Sequence, residues 1–171
     1  GCPAQAELLE VGRTAAVTPR SDGTPPQQPT RRLLVGTDVF FEERIITSGE
    51  GQTQILFTDE SSVTIGPDAE LLIDRYVFDP SDGRGEISMT LASGLLRYVG
   101  GRISKGGGVR VTTPTATIGI RGGINITSHD PGTGETRSSN VFGNQSITRN
   151  GETERIPKGW TASGGGGSGG E

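Results

Sequence analysis

Residues 114–127 carry the clearest pattern of apolar and polar positions in the chain. Apolar residues or glycine occupy every even position from 116 to 126, whereas Thr, Gly, Arg and Asn occupy the odd positions. Because side chains alternate between the two faces of a strand, the pattern predicts an extended segment with its even positions in a core. Gly119, Gly122 and Gly123 carry no side chain, which predicts that another backbone approaches closely at these positions.

Short apolar segments separated by turn residues fill the chain from Leu33 to Pro157, and the turns recur roughly every 8–12 residues. This spacing predicts an all-β fold, either β-solenoid-like or a two-sheet stack of short strands. One segment, 86–96, also contains residues that favour a helix, but Gly94 favours strand–turn–strand there. The Gly-rich segment 100–108 lacks the order of residues found in a phosphate-binding loop and is interpreted as a mobile hairpin loop.

The sequence predicts three parts. Residues 1–32 form an N-terminal arm and a Pro-rich tether, residues 33–160 form the β domain, and residues 161–171 form a Gly/Ser-rich tail that should be a flexible coil. The arm contains a mixed apolar segment, 7–18, and the tether detaches this segment from the body. A detached apolar segment can fold back on its own domain or pair with another molecule.

Composition excludes several classes of protein. Among 171 residues there are 29 glycines and 10 prolines, which a helical bundle would not tolerate. The net charge of -4 and the 5% aromatic content argue against a protein that holds nucleic acid. Cys2 and His129 are the only residues of their types, so an internal disulfide or a zinc site of the usual kind is not available, and no cofactor is predicted. No stretch of sequence is apolar enough to span a membrane.

The N-terminal residues resemble processing sites. Gly1-Cys2 is similar to the end of a lipobox, in which Cys2 would carry a lipid, and Ala4-Gln5-Ala6 is similar to a signal-peptidase site. The two sites cannot both be used, but either one indicates export. The protein is therefore expected outside the cytoplasm of a bacterium, and in contact with a membrane only through a lipid on Cys2.

Few residues suggest chemistry. Asp79, Asp82 and Glu86 span a glycine-containing loop and are weak candidates for calcium ligands, since calcium prefers oxygen. His129 lies in a turn-like segment and is interpreted as a surface histidine, because no nucleophile motif accompanies it. Arg121 should lie on the solvent side of its strand, where it could pair with Asp59 or the adjacent Glu60 or cover the sheet with its stem. The sequence therefore does not indicate an enzyme.

The order of short motifs along the body resembles the FecR domain family. These motifs are Val35-Gly36-Thr37-Asp38, Arg44-Ile45-Ile46-Thr47, Gln54-Ile55-Leu56-Phe57-Thr58-Asp59, Val63-Thr64-Ile65-Gly66-Pro67, Gly94-Leu95-Leu96-Arg97 and, most specifically, the segment 112–122. In that last segment the family motif corresponds to Thr113, Pro114, Ile118, Ile120, Arg121 and Gly122. The resemblance covers about residues 33–157 and implies an elongated, β-solenoid-like periplasmic fold.

Two turns depart from the family pattern. Asp59-Glu60-Ser61 stands where the family usually has Asp-Gly-Ser, and Gly123 stands where the family often has Thr or Ser. Familiar FecR proteins also carry a cytoplasmic helical segment, a membrane span and a second periplasmic lobe, and they relay a signal from an outer-membrane receptor to a sigma factor. The motifs found here imply the fold and do not by themselves imply that signalling role.

Two functions remain open from the sequence. The first is a non-enzymatic, self-associating surface or filament subunit, in which the arm or the tail of one copy adds a strand to the sheet of the next. The contacts would involve Leu8, Leu9, Val11, Val17 and Trp160. The alternative is a periplasmic sensor or binding module in FecR-type envelope signalling, with an envelope protein as its partner.

Overall fold

The computed structural model describes residues 8–165, and the predicted lipidation and cleavage sites at Cys2 and 4–6 lie outside this range. The described part is all-β, as predicted, with a 3-10 helix at Ile103–Gly106 as its one helical element. Its fourteen strands are β1 (Glu10–Thr18), β2 (Ser21–Thr24), β3 (Arg31–Arg32), β4 (Asp38–Phe40), β5 (Arg44–Thr47), β6 (Gln52–Phe57), β7 (Ser62–Ile65), β8 (Glu70–Phe78), β9 (Gly85–Val99), β10 (Val109–Thr112), β11 (Thr117–Asp130), β12 (Glu135–Arg149), β13 (Glu152–Ile156) and β14 (Thr161–Gly164).

All fourteen strands belong to one hydrogen-bonded sheet, which divides into two ladders. The first ladder has the order β3-β2-β5-β8-β9-β10-β11-β12-β13. The second has the order β4-β1-β6-β7-β9-β11-β12-β14. The long strands β9, β11 and β12 take part in both ladders, and β9 and β10 are parallel, so the sheet is mixed. The strand pairing therefore establishes one open mixed sheet. The solenoid-like winding of that sheet remains a prediction from the sequence.

Glycines mark the points where the long strands pass from one ladder to the other. In β9 the partner changes at Gly94, in β11 at Gly122 and Gly123, and in β12 near Gly143. All four have positive φ, between 71° and 108°, a conformation that residues with a Cβ rarely adopt. The glycines therefore allow each long strand to bend while its hydrogen bonds continue on both sides.

The double glycine in β11 also reverses which positions face the interior. Ile118 and Ile120 are buried as the alternation predicts, but beyond Gly123 the buried positions are odd and include Asn125 and Thr127. The prediction that even positions face the core as far as 126 is therefore wrong for its last part. The register shifts between Arg121 and Asn125 explain the change, because a slip of one residue moves every following side chain to the other face.

The N-terminal arm is not detached, contrary to the prediction from the Pro-rich segment. β1 lies inside the second ladder between β4 and β6, and Val11 is fully buried in the core. The predicted tether contributes β2 and β3 to the first ladder. Turn-forming residues in 19–30 thus connect paired strands and do not separate two bodies.

Three smaller predictions also need correction. Residues 86–96 belong to one continuous strand, so neither a helix nor a turn interrupts β9. The segment 100–108 is not a hairpin loop, because the following β10 runs parallel to β9, and Ile103 within it is buried. The tail begins with β14, which pairs with β12, whereas residues 166–171 lie outside the described range.

Candidate interaction surface

The residues predicted to mediate contacts do not form one surface. Val11 is buried, Leu8 and Val17 are partly exposed, and Leu9 is exposed. β1 pairs with β6 as far as Thr18, and on its other side it bonds β4 and the preceding turn as far as Thr14, so most of this strand is already paired within its own sheet. Trp160 precedes β14, at the opposite end of the second ladder from β4 and β1. The arm is therefore part of its own sheet in the conformation described and is not a detached connecting strand.

Trp160 belongs instead to an exposed cluster at the end of the sheet, which we call the aromatic edge and define as Val141, Phe142, Lys158 and Trp160. Trp160 is 67% exposed and Phe142 is 57% exposed. The Lys158 ammonium lies 5.4 Å from the centre of the Phe142 ring, a cation–π distance. The Lys158 ammonium thus contacts the Phe142 ring, and the exposed Trp160 ring belongs to the same turn as Lys158.

Backbone hydrogen bonds hold the aromatic edge in place. The turn between β13 and β14 is closed by the Trp160 N–H, which donates to the Pro157 carbonyl at 3.0 Å. The Asn140 N–H donates to the Trp160 carbonyl at 3.0 Å, and the Gly159 N–H donates to the Asn140 carbonyl at 2.7 Å. Asn140 Nδ2 also donates to the carbonyls of Gly143 and Ile156, both at 2.8 Å. The Trp160 ring is therefore carried by a turn that backbone hydrogen bonds hold against β12, the strand that contains Phe142.

The aromatic edge adjoins unpaired backbone. Within residues 8–165, β14 pairs with β12 alone and β13 pairs with β12 alone. The outer N–H and C=O groups of such edge strands can pair with a strand from another chain. Exposed aromatic residues next to a free strand edge are typical of protein-binding surfaces.

The residues of the 113–122 motif hold the fold together. Thr113 Oγ1 accepts the Ala116 N–H at 3.0 Å and the Thr115 N–H at 3.3 Å, next to Pro114, which precedes β11. Ile118 and Ile120 are core residues, and Gly122 has positive φ at the bend. Arg121 is exposed beside Gly107 and forms no ion pair with the described residues, so the predicted pairing with Asp59 or Glu60 is not present.

The three calcium candidates are engaged separately. Asp79 Oδ1 accepts the Ser81 N–H at 2.9 Å, and its hydrogen bonds to Ser81 lower the pKa of the Asp79 carboxyl. Asp82 Oδ1 accepts the Arg84 N–H at 2.9 Å, and Glu86 pairs with Arg75 on the neighbouring strand β8. No group of three His, Cys, Asp or Glu residues within 8–165 is arranged to hold a metal ion. The structure therefore gives these carboxylates ordinary turn and sheet roles.

His129 is not a surface turn residue, in contrast to the prediction. It lies in β11, is 4% exposed, and its Nδ1 is 2.9 Å from Thr136 Oγ1. The reason is the change of phase at Gly123, which turns position 129 toward the interior. Burial lowers the pKa of His129 below its ordinary value of 6.5, and the Asp130 charge opposes this change.

The lowered pKa of His129 predicts a pH dependence of stability. Between the folded-state pKa and 6.5, the unfolded chain binds a proton that the folded chain does not, so the free energy of unfolding should fall as the pH decreases through this interval. His129→Gln should remove this contribution, which is at most about 1.4 kcal/mol per pH unit. Urea unfolding at several pH values measures the slope. Equal slopes for the variant and the unchanged protein would contradict the prediction.

Sequence reasoning missed the buried acidic residues that support the fold. Asp59 is fully buried, and its carboxylate accepts the Ser61 N–H at 3.0 Å and the Ile103 N–H at 3.1 Å. It thereby ties the β6–β7 turn to the 3-10 helix, and the only sequence signal is its place in a family motif. Glu43 is also fully buried and pairs with Arg31 at 2.9 Å. Nothing in the sequence pattern connects Arg31 and Glu43.

Comparison with protein families identifies the fold class seen here. The model of the family described as FecR protein matches residues 43–141, which is more than half of the chain. The chain belongs to the FecR family. The FecR match contains the motif 113–122 and the bends at Gly94, Gly122 and Gly123, but it begins after β1–β4 and ends before the β13–β14 edge.

Solved structures support the same fold for this FecR domain. Two crystal structures, both described as a "putative anti-sigma factor from Parabacteroides distasonis ATCC 8503", are similar to it with TM-scores of 0.61 and 0.58 at 14% and 15% identity. Each alignment covers 75% of this chain and 56% or 57% of the solved chain, so the FecR chain spans slightly more than half of their length. A comparison with curated proteins gave no match. Among the described residues, no helix has the length and apolarity to cross a membrane.

Proposed function

We propose that this FecR-family chain is a non-catalytic protein-binding module of bacterial envelope signalling, located outside the cytoplasm. Its partner is another protein of the same signalling system. The family and the fold shared with the structures described as an anti-sigma factor support this assignment. The result favours the second of the two functions that the sequence left open.

The aromatic edge is the observation that carries the proposal. Trp160 exposes a large apolar ring on a hydrogen-bonded turn beside the edge strand β14, and Phe142 exposes another on the neighbouring strand β12. Tryptophan on a rigid support loses little side-chain entropy on binding, and residues of this type contribute most of the binding free energy in many protein interfaces. A partner strand adding to β14 would bring its side chains directly onto these rings.

The filament hypothesis lacks this kind of support. It requires the arm or the tail to leave its own sheet, whereas β1 pairs with β4 and β6 with Val11 buried, and the β14 segment of the tail pairs with β12. Releasing β1 would expose core surface and break its hydrogen bonds to β4 and to β6. We therefore expect the purified chain to sediment as a monomer in analytical ultracentrifugation at its highest soluble concentration, and concentration-dependent polymers would contradict this assignment.

The partner surface can be tested with a matched pair of substitutions. Envelope proteins encoded beside this gene are screened in a two-hybrid assay, and any interacting pair is measured with purified proteins by biolayer interferometry. Trp160→Ser should weaken that binding by at least about 30-fold, the effect of losing a central aromatic contact of about 2 kcal/mol. Val35→Ser is the control, because Val35 is an exposed apolar residue in the turn before β4, at the other end of the ladder. Equal effects of the two substitutions, or no partner in the signalling system, would contradict the proposal.

A further inference from the structure

An open groove of ≈ 630 Å³ lies at the end of β14 away from the aromatic edge. Three segments surround it. They are the β7–β8 turn with Asp68, the bend of β9 with Leu95, and the β11–β12 hairpin with Asp130 and Glu135. His129, the last interior residue of β11, lines the groove although its side chain is almost entirely buried. The groove therefore reaches from solvent to a buried imidazole.

The hydroxyl groups behind His129 decide which ring nitrogen carries the proton. Thr115 Oγ1 donates to the Gly134 carbonyl at 2.9 Å, since a carbonyl can only accept. The 2.8 Å contact between Thr115 and Thr136 then needs the Thr136 proton. Thr113 Oγ1 already accepts the N–H groups of Thr115 and Ala116, so its 2.6 Å contact with Thr136 uses the Thr113 proton in preference to the longer contact with the Ala116 carbonyl at 3.3 Å. Each hydroxyl has one proton.

Thr136 can therefore only accept from His129. All four hydrogen bonds form at the same time only if Nδ1 carries the proton and donates it to Thr136 Oγ1, at 2.9 Å. In this neutral tautomer Nε2 has a lone pair and accepts hydrogen bonds. Within residues 8–165, Nε2 has no hydrogen-bond partner. It is also not one of the polar atoms that are both fully buried and unpartnered, so it keeps some contact with solvent. It thus opens into the groove.

The charges of the groove favour a cation. Arg137 Nε donates to Glu135 Oε1 at 2.8 Å, so these two charges offset each other. Asp68 and Asp130 form no ion pair with the described residues, and Asp130 Oδ1 accepts only the Gly132 N–H at 2.8 Å. Two carboxylates and one imidazole lone pair thus face the same space, and all of them accept hydrogen bonds.

We propose that this groove binds the cationic side chain of an arginine or lysine residue in a peptide segment. The guanidinium or ammonium group donates to His129 Nε2 and interacts with the Asp68 and Asp130 carboxylates. Leu95, which is exposed, and the rings of Pro67 and Pro131 contact the aliphatic stem. This site is separate from the aromatic edge and does not depend on the proposed function.

His129 provides its own probe, because it is the only histidine in the chain. Long-range ¹H–¹⁵N NMR of the imidazole should show a protonated Nδ1 and an unprotonated Nε2, and titration with acetyl-Ala-Arg-Ala-amide should shift the Nε2 signal with saturation. The same peptide with citrulline, a neutral isostere of arginine, should give no saturable shift. An Nε2–H tautomer, or equal shifts with both peptides, would overturn the proposal.

Variants and a third probe complete the test. The double substitution Asp68→Asn and Asp130→Asn should weaken peptide binding by at least about tenfold, whereas Asp38→Asn, an exposed aspartate on the distant strand β4, should leave it unchanged. Agmatine presents the guanidinium group without a peptide. Tighter binding of agmatine than of the peptide would assign the groove to a free cation and overturn the peptide assignment.

Discussion

Arg31→Met should lower the free energy of unfolding by about 3 to 5 kcal/mol, because it leaves a buried carboxylate without its countercharge. Glu43 is fully buried, and Arg31 contacts both of its carboxylate oxygens, at 2.9 Å to Oε1 and 3.1 Å to Oε2. The Phe40 N–H, at 3.0 Å from Glu43 Oε1, would be the only other described donor to remain. One neutral donor cannot replace an ion pair for a carboxylate that is itself fully buried.

Arg44→Met is the matched control. Arg44 pairs with Glu70 at 3.0 Å, but both side chains are substantially exposed to solvent. Exposed pairs of this kind contribute at most about 1 kcal/mol. Guanidinium unfolding of both variants measures the difference, and similar small losses in the two variants would show that the Arg31–Glu43 pair is not important for stability.

A double substitution separates charge burial from packing. Replacing both partners, as Arg31→Met with Glu43→Leu, removes the uncompensated charge and should recover much of the loss. A double variant that is as unstable as the sum of the single variants would instead assign the loss to packing. The outcome also bears on the N-terminal residues, because Arg31 lies in β3 and Glu43 in the turn before β5. Residues outside the FecR match thus stabilise the domain that contains it.

The strands could be predicted from the sequence because alternating apolar residues and turn residues determine them locally. Alternating apolar residues in 116–120, and turn residues such as Gly66-Pro67, act within a few positions of each other. The exposed Trp160 was also predicted as a contact residue, and the structure adds its neighbours Phe142 and Lys158. These parts of the fold and of the aromatic edge depend on short stretches of chain.

The position of the arm and the environment of His129 could not be predicted from the sequence, because both depend on pairing between distant segments. The arm was predicted to be free because 19–30 is rich in turn residues, but whether β1 pairs is decided by β4 and β6. His129 was assigned to a turn because Asp130-Pro131-Gly132 follows it, and its burial depends on the change of phase at Gly123. The tautomer of His129 depends on hydroxyl groups from Thr113 and Thr115, in the connection between β10 and β11, and from Thr136 in β12.

Gly123→Ala tests the bend that produces this change of phase, and it should lower the free energy of unfolding by about 3 to 5 kcal/mol. A Cβ at position 123 would lie 1.8 Å from the Phe142 carbonyl oxygen and 2.8 Å from the Gly143 Cα. Backbone atoms of a paired strand cannot move aside as a side chain can. The φ of +87° at Gly123 adds further strain for a residue with a Cβ.

Gly122→Ala is the control at the neighbouring position. Gly122 also has positive φ, at +71°, but a Cβ there would meet nothing within 4 Å. Its cost should be limited to the backbone conformation, about 1 to 2 kcal/mol. With roughly 2–4 °C of melting temperature per kcal/mol, calorimetry should place the Gly123 variant roughly 10 °C below the unchanged protein and the Gly122 variant only a few degrees below it. Equal melting temperatures for the two variants would show that β11 and β12 do not cross at this distance.

The same comparison explains why position 123 of this chain is a glycine. In this fold the bend of β11 crosses the bend of β12 backbone to backbone, and the Gly100 N–H donates to the Gly123 carbonyl at 2.8 Å from a third strand end. A side chain at 123 can be accommodated only if the Phe142–Gly143 bend moves away. Because Phe142 is part of the aromatic edge, such a movement should also weaken partner binding. If a folded Gly123→Ala variant instead keeps full affinity for the partner, the aromatic edge does not depend on the bend beneath it.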